Sequence, residues 1–181
     1  MRMVLSSILT VAMLIGTAFA FPSDEVPTSE AAYIAKVKTA APSQIVAKAT
    51  IVMVQDGKPR PLQTGTNGFT CLIRGDGTPL CADENGLAWE NAVASKSPPP
   101  NKTGFIYMLA GDAGTSNHDP HQRASHQHWV QTGPHVMIVG PIVREMAGYP
   151  RNADVPDPTQ PFVMYPGTPY EHLMLPVTAT K

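Results

Sequence analysis

Two cysteines, Cys71 and Cys81, enclose the run Arg74-Gly75-Asp76-Gly77-Thr78-Pro79. An even cysteine count in an oxidising compartment reads as a disulfide, and an insert this rich in turn formers lets its two ends meet. Whatever fold the chain adopts must therefore bring residues 71 and 81 together. Closing so short a loop stabilises by about 2–3 kcal/mol in the chain-entropy picture. No CxxC spacing is present, so a redox or metal-thiolate role is the lesser reading of the pair.

The oxidising compartment is itself an inference from residues 1–20. Arg2 supplies a short positive start, Val4 to Ala20 is apolar apart from small hydroxyl residues and Gly16, and Ala18-Phe19-Ala20 forms an A-x-A cleavage site. That is the pattern of a cleaved signal peptide. The apolar run is short for a bilayer of roughly 30 Å, and no cysteine follows the cleavage site to carry a lipid. The expectation is a single globular domain over residues 21–181, periplasmic or secreted, with no membrane anchor after cleavage. The net charge of −1 is spread without a Lys/Arg stripe, which excludes a nucleic-acid partner because phosphate binding needs clustered cations.

Thr28 or Ser29 can cap a helix over residues 28–41, with Glu30 in its first turn and Lys36 and Lys38 near its end. Ile45–Val54 reads as a strand, hairpinned through Asp56-Gly57-Lys58-Pro59 to a second at Gly68–Ile73. A short helix is expected from Asp83 or Glu84 to Ala94, and strands at Phe105–Leu109, His135–Val139 and Tyr170–Leu175. Residues 150–169 are proline-rich and irregular, with one apolar run at Phe162–Tyr165. The fold class is α+β, a mainly antiparallel sheet with an N-terminal helix and one short internal helix.

Five of the six histidines lie between residues 118 and 135. Imidazole is the commonest metal ligand. On a helix from Pro120, His121 and His128 share a face. On an extended strand, His126 and His128 do. Either pair could hold Zn or Cu, with His118, Asp119 or His135 completing the set. His135 opens a very apolar strand after Thr132-Gly133-Pro134, and His172 lies inside the closing strand, where Asp112 or Asp119 could partner it. Met108, Met137, Met164 and Met174 each fall mid-strand. Thioethers fill irregular core space, and they also bind Cu(I). There is no G-x-S-x-G elbow.

Several strings together, Asn67-Gly68-Phe69-Thr70-Cys71, Thr132-Gly133-Pro134-His135-Val136-Met137-Ile138-Val139-Gly140 and Pro169-Tyr170-Glu171-His172-Leu173-Met174, resemble a family of exported bacterial proteins. The resemblance spans most of the chain after about residue 44. It implies an exported setting and no particular reaction. In that family pattern His135 and His172 match, whereas His118, His121 and His128 depart from it. A shared site would then use His135, His172 and Glu171, with Asp112, Asp119, Asn117, Tyr107 or Trp129 nearby.

The leading expectation is an exported binding domain that takes a transition metal ion or a small polar ligand through His and carboxylate groups. Its metal ligands are sought among His135, His172, His126 and His128, and its ligand contacts among Tyr107, Asn117, Asp119, Trp129 and Glu171. The alternatives are a hydrolase-like enzyme with His135 or His172 as general base and Asp112 as orienter, and a structural or interaction domain without pocket chemistry.

Overall fold

The computed structural model describes residues 25–55, 57–122, 128–151 and 154–177. The expected signal peptide therefore lies outside the described residues. Helix α1 spans Glu30–Val37, with Ser29 Oγ accepting from Ala32 N as its cap. Pro42 then starts α2, a single turn at Ser43–Val46. The β-branched run from Ile45 is thus not all strand. Its first residues close a helical turn that buries Val46 beside Tyr33 and Val37, and β1 begins only at Thr50–Gln55.

The hairpin partner of β1 is β2, Lys58–Gln63, which the sequence reading missed. Its two prolines argue against a strand, but β2 is the sheet edge, where a missing N–H costs no ladder bond. The expected second strand is β3, Thr70–Ile73, and it runs parallel to β1 rather than hairpinned to it. The intervening segment crosses over α2, with Asn67 Nδ2 donating to Ile45 O at 2.8 Å and Gln63 Nε2 to Ala49 O at 2.7 Å.

Strand β4, Pro79–Ala82, returns antiparallel to β3 and places Cys81 directly opposite Cys71. The disulfide is formed. Gly77 takes φ +83° in the turn between them, and Asp76 Oδ1 accepts from Thr78 N at 3.0 Å. Helix α3 covers Glu84–Ser95, capped by Asp83. It lies directly on β5, Gly104–Met108. A Cβ at Gly104 would stand 2.2 Å from Gly86 N, so glycine is what permits the close approach.

After the short pair β6 (Thr115–Ser116) and β7 (Trp129–Val130) come β8 (His135–Val139), β9 (Phe162–Met164) and β10 (His172–Pro176). Among the described residues the main sheet has eight strands in the order β2-β1-β3-β4-β5-β8-β10-β9, and β1–β3 is the one parallel pair there. The α+β class holds, with three α-helices among the described residues rather than two.

The pleat divides the core. One face of β4, β5, β8, β9 and β10 packs on Trp89 and Val93 of α3. On the other face, α1 covers β1, β3 and β4 through Tyr33 and Val37. Tyr33 ties these strands, its hydroxyl donating to Val52 O and accepting from Ile73 N, both at 2.9 Å. A 3-10 turn at Pro141–Glu145 covers Val163 and Leu173. No helix among the described residues is long and apolar enough to cross a membrane.

Candidate functional site

The histidine loop rises from the sheet as a two-stranded ribbon, with Thr115 opposite Val130 and Ser116 opposite Trp129. Asp112 fastens its base. The Asp112 N–H donates to Thr132 O at 3.0 Å, and Oδ1 accepts from Gly114 N at 2.9 Å and Thr132 N at 3.0 Å. Gly114, at φ +84°, passes so close to Trp129 that a Cβ would lie 2.4 Å from the indole nitrogen. At the far end Asn117 N donates to His128 O at 2.7 Å, which continues the ladder by one step.

That step sets two imidazoles together. The rings of His118 and His128 stack with centroids 4.1 Å apart and planes 22° from parallel. Asp154, from the proline-rich excursion, closes over them. Its Oδ1 stands 3.5 Å from His118 Nε2 and contacts His128 Nδ1. One ligand atom from each residue lies within 4.8 Å of the others. Nitrogen and oxygen ligands at zinc bond distances sit about 3.4 Å apart, so the three groups must draw in by about 1.4 Å at most, and the stacked rings must tilt so that their in-plane lone pairs meet at one ion. His118 and Asp154 are exposed and His128 half-buried, so little packing resists that movement.

His135 and His172 meet elsewhere, in a cavity beneath α3 that both line. Both are fully buried. His135 Nδ1 lies 2.7 Å from Gly133 O, and His172 Nδ1 lies 3.0 Å from Tyr170 O. A carbonyl only accepts, so Nδ1 carries the proton in each ring and Nε2 keeps its lone pair. Burial pushes both histidines below the ordinary imidazole range, His172 to about 4. His172 is also wedged edge-on between the rings of Trp89 and Tyr165, each with its centroid 5.0 Å away.

Asp112 Oδ2 is 3.9 Å from His135 Nε2, beyond hydrogen-bond reach. Asp112 and His135 therefore face each other without a direct hydrogen bond. Burial raises the Asp112 carboxyl above the ordinary aspartate range, against the pull of His135 and of the loop N–H groups. In the cavity lining Arg74 faces Glu90 at 3.8 Å and Asp76 at 3.9 Å, and chiefly Glu90 holds its guanidinium more firmly protonated than usual.

Several other expected residues do not line this cavity. Tyr107 is on the opposite side of the sheet from the cavity, against Phe69. Asn117 links the ribbon to the sheet, its carbonyl accepting from Tyr165 N at 2.8 Å. Asp119 caps its own turn through His121 N. Glu171 accepts from Arg151 and from Gly167 N. His121 is exposed beside Tyr170, and His126 lies outside the described residues. Of the expected metal ligands, His128 therefore pairs with His118, while His135 and His172 belong to the buried cavity.

Sequence reasoning did not reach Asp154, nor the roles of Arg74, Trp89 and Glu90. Asp154 comes to His118 only through the path of the excursion, and no spacing encodes that. Exposed large apolar side chains, Val54, Phe105, Ile142, Val155 and Val177, come from five separate segments. No known protein family matches the chain, and comparison with curated proteins and with solved structures likewise finds no match.

Proposed function

We propose that this protein is an exported domain that binds a divalent transition metal ion through His118, His128 and Asp154. The observation that carries the reading is the convergence of two imidazole nitrogens and one carboxylate oxygen within 4.8 Å. Two nitrogens and one oxygen suit Zn(II) or Cu(II). Three protein ligands leave at least one coordination position for water or an incoming group, and the exposure of His118 and Asp154 keeps that position open to solvent. The export part rests on the signal-like first twenty residues, and the Cys71–Cys81 disulfide agrees with an oxidising compartment.

Calorimetric titration of metal-stripped protein with Zn(II) tests the reading. One equivalent should bind, and His118→Ala or Asp154→Asn should weaken it at least tenfold. Titrations without saturable heat, or with variants that bind like the parent, would refute it.

A further inference from the structure

The buried cavity has a donor set of another kind. Three cross-strand pairs line it on a single face of the sheet: His135 opposite Met108, Met137 opposite Met174, and His172 opposite Met164. Four adjacent strands, β5, β8, β10 and β9, thus bring four thioethers and two imidazoles around one hollow. Methionine commonly fills a core without further purpose, but this core is not closed on itself. His135 Nε2 is fully buried and has no hydrogen-bond partner, although a buried polar atom left unpaired is costly. Its Nδ1–H is spent on a backbone carbonyl, as is that of His172. That is the arrangement that orients a ligating imidazole and fixes its tautomer.

Size and charge narrow the occupant. The cavity holds about 30 Å³, room for roughly two waters and far below the roughly 300 Å³ at which organic ligand pockets begin. Its lining includes Asp76 and Glu90 beside one guanidinium, Arg74, and the Asp112 carboxyl, an excess of acidic groups that favours a cation over an anion. Thioethers are soft ligands and select a soft ion, Cu(I), over Zn(II) or Mg(II). A single positive charge is also the least costly to hold among apolar walls.

We propose that the cavity under α3 is a second, separate site that binds one Cu(I) ion through imidazole Nε2 and methionine sulfur. The site is independent of the His118–His128–Asp154 group and shares no residue with it. Both cysteines are in the disulfide, so any sulfur found on the metal must come from methionine.

The test is anaerobic titration of the purified protein with Cu(I), using ascorbate as reductant and bicinchoninate as competitor, followed by X-ray absorption at the copper edge. One equivalent should outcompete the chelator, with sulfur and nitrogen in the first coordination sphere. The near-isosteric double variant Met137→Leu/Met174→Leu should lose at least tenfold in affinity while melting within a few degrees of the parent, and His135→Gln should lose a similar factor. A His118→Ala/His128→Ala protein should bind Cu(I) as the parent does. Absence of copper–sulfur scattering in the parent, or unaltered affinity in the folded methionine variant, would overturn the proposal and leave the cavity to water. Loss of Cu(I) in the surface variant alone would overturn it too, since the ion would then sit at the other site.

Discussion

The imidazoles of His118 and His128 stack at a centroid separation of 4.1 Å, although nine residues separate them along the chain. The backbone bond from Asn117 N to His128 O makes this possible, because it extends the β6–β7 ladder past its last strand residue. An ion that binds this pair in the folded state and not in the unfolded chain stabilises the fold by mass action. Zn(II) at a hundredfold excess over its dissociation constant should add about 2.7 kcal/mol. Thermal unfolding with and without the ion measures this, and His128→Ala should abolish the increment.

The buried histidines make stability depend on pH. In the fold His172 takes a proton only near pH 4, whereas in the unfolded chain it does so near the ordinary value of about 6.5. As pH falls through that window the unfolded state binds the proton first, so stability present at neutral pH is lost between about 6.5 and 4. The loss is on the order of 3 kcal/mol. His135 acts in the same direction. Asp112, whose carboxyl is raised by burial, acts in the opposite sense and offsets part of it. Denaturant unfolding from pH 7 to pH 4 should show a steeper decline for the parent than for His172→Gln. Parallel curves would contradict the assignment.

Glu171 works as a strut. It is buried, and it takes hydrogen bonds from Arg151 and Gly167 N, while Arg151 also donates to Met146 O at 2.7 Å. The pair ties the 3-10 turn and the proline-rich excursion to the entrance of β10. Glu171→Ala leaves the guanidinium without its carboxylate and should cost about 1–3 kcal/mol. Zn(II) affinity should fall by less than the tenfold expected of a ligand variant, because the excursion that carries Asp154 loses an anchor while the ligands themselves remain. A large loss of affinity without loss of stability would instead make Glu171 part of the binding machinery.

The sequence made legible what depends on local pattern. Ser29, one of the two expected caps, starts α1, α3 begins within a residue of Asp83, the apolar run at His135–Val139 is a central strand, and Cys71 meets Cys81. It obscured what depends on tertiary context. β2 is not legible, since its first two residues fall in the expected turn Asp56–Pro59, and its two prolines are tolerated because it is the sheet edge. Ile45 and Val46 have β propensity, yet the core beneath α1 wants Val46 in a helical turn. His135 and His172 read as members of one site, and both line one cavity. The partner of His118 and His128 was not legible, since Asp154 reaches them by a path that no periodicity records.

The central claim is that His118 and His128 hold the ion. Long-range 1H–15N correlation spectra of the imidazoles during a Zn(II) titration test it most directly. The account predicts that the His118 and His128 ring nitrogens shift together and saturate at one equivalent, while those of His172 stay in place. Saturation at His121 or His172 with the stacked pair unmoved, or no shift at any imidazole, would contradict it.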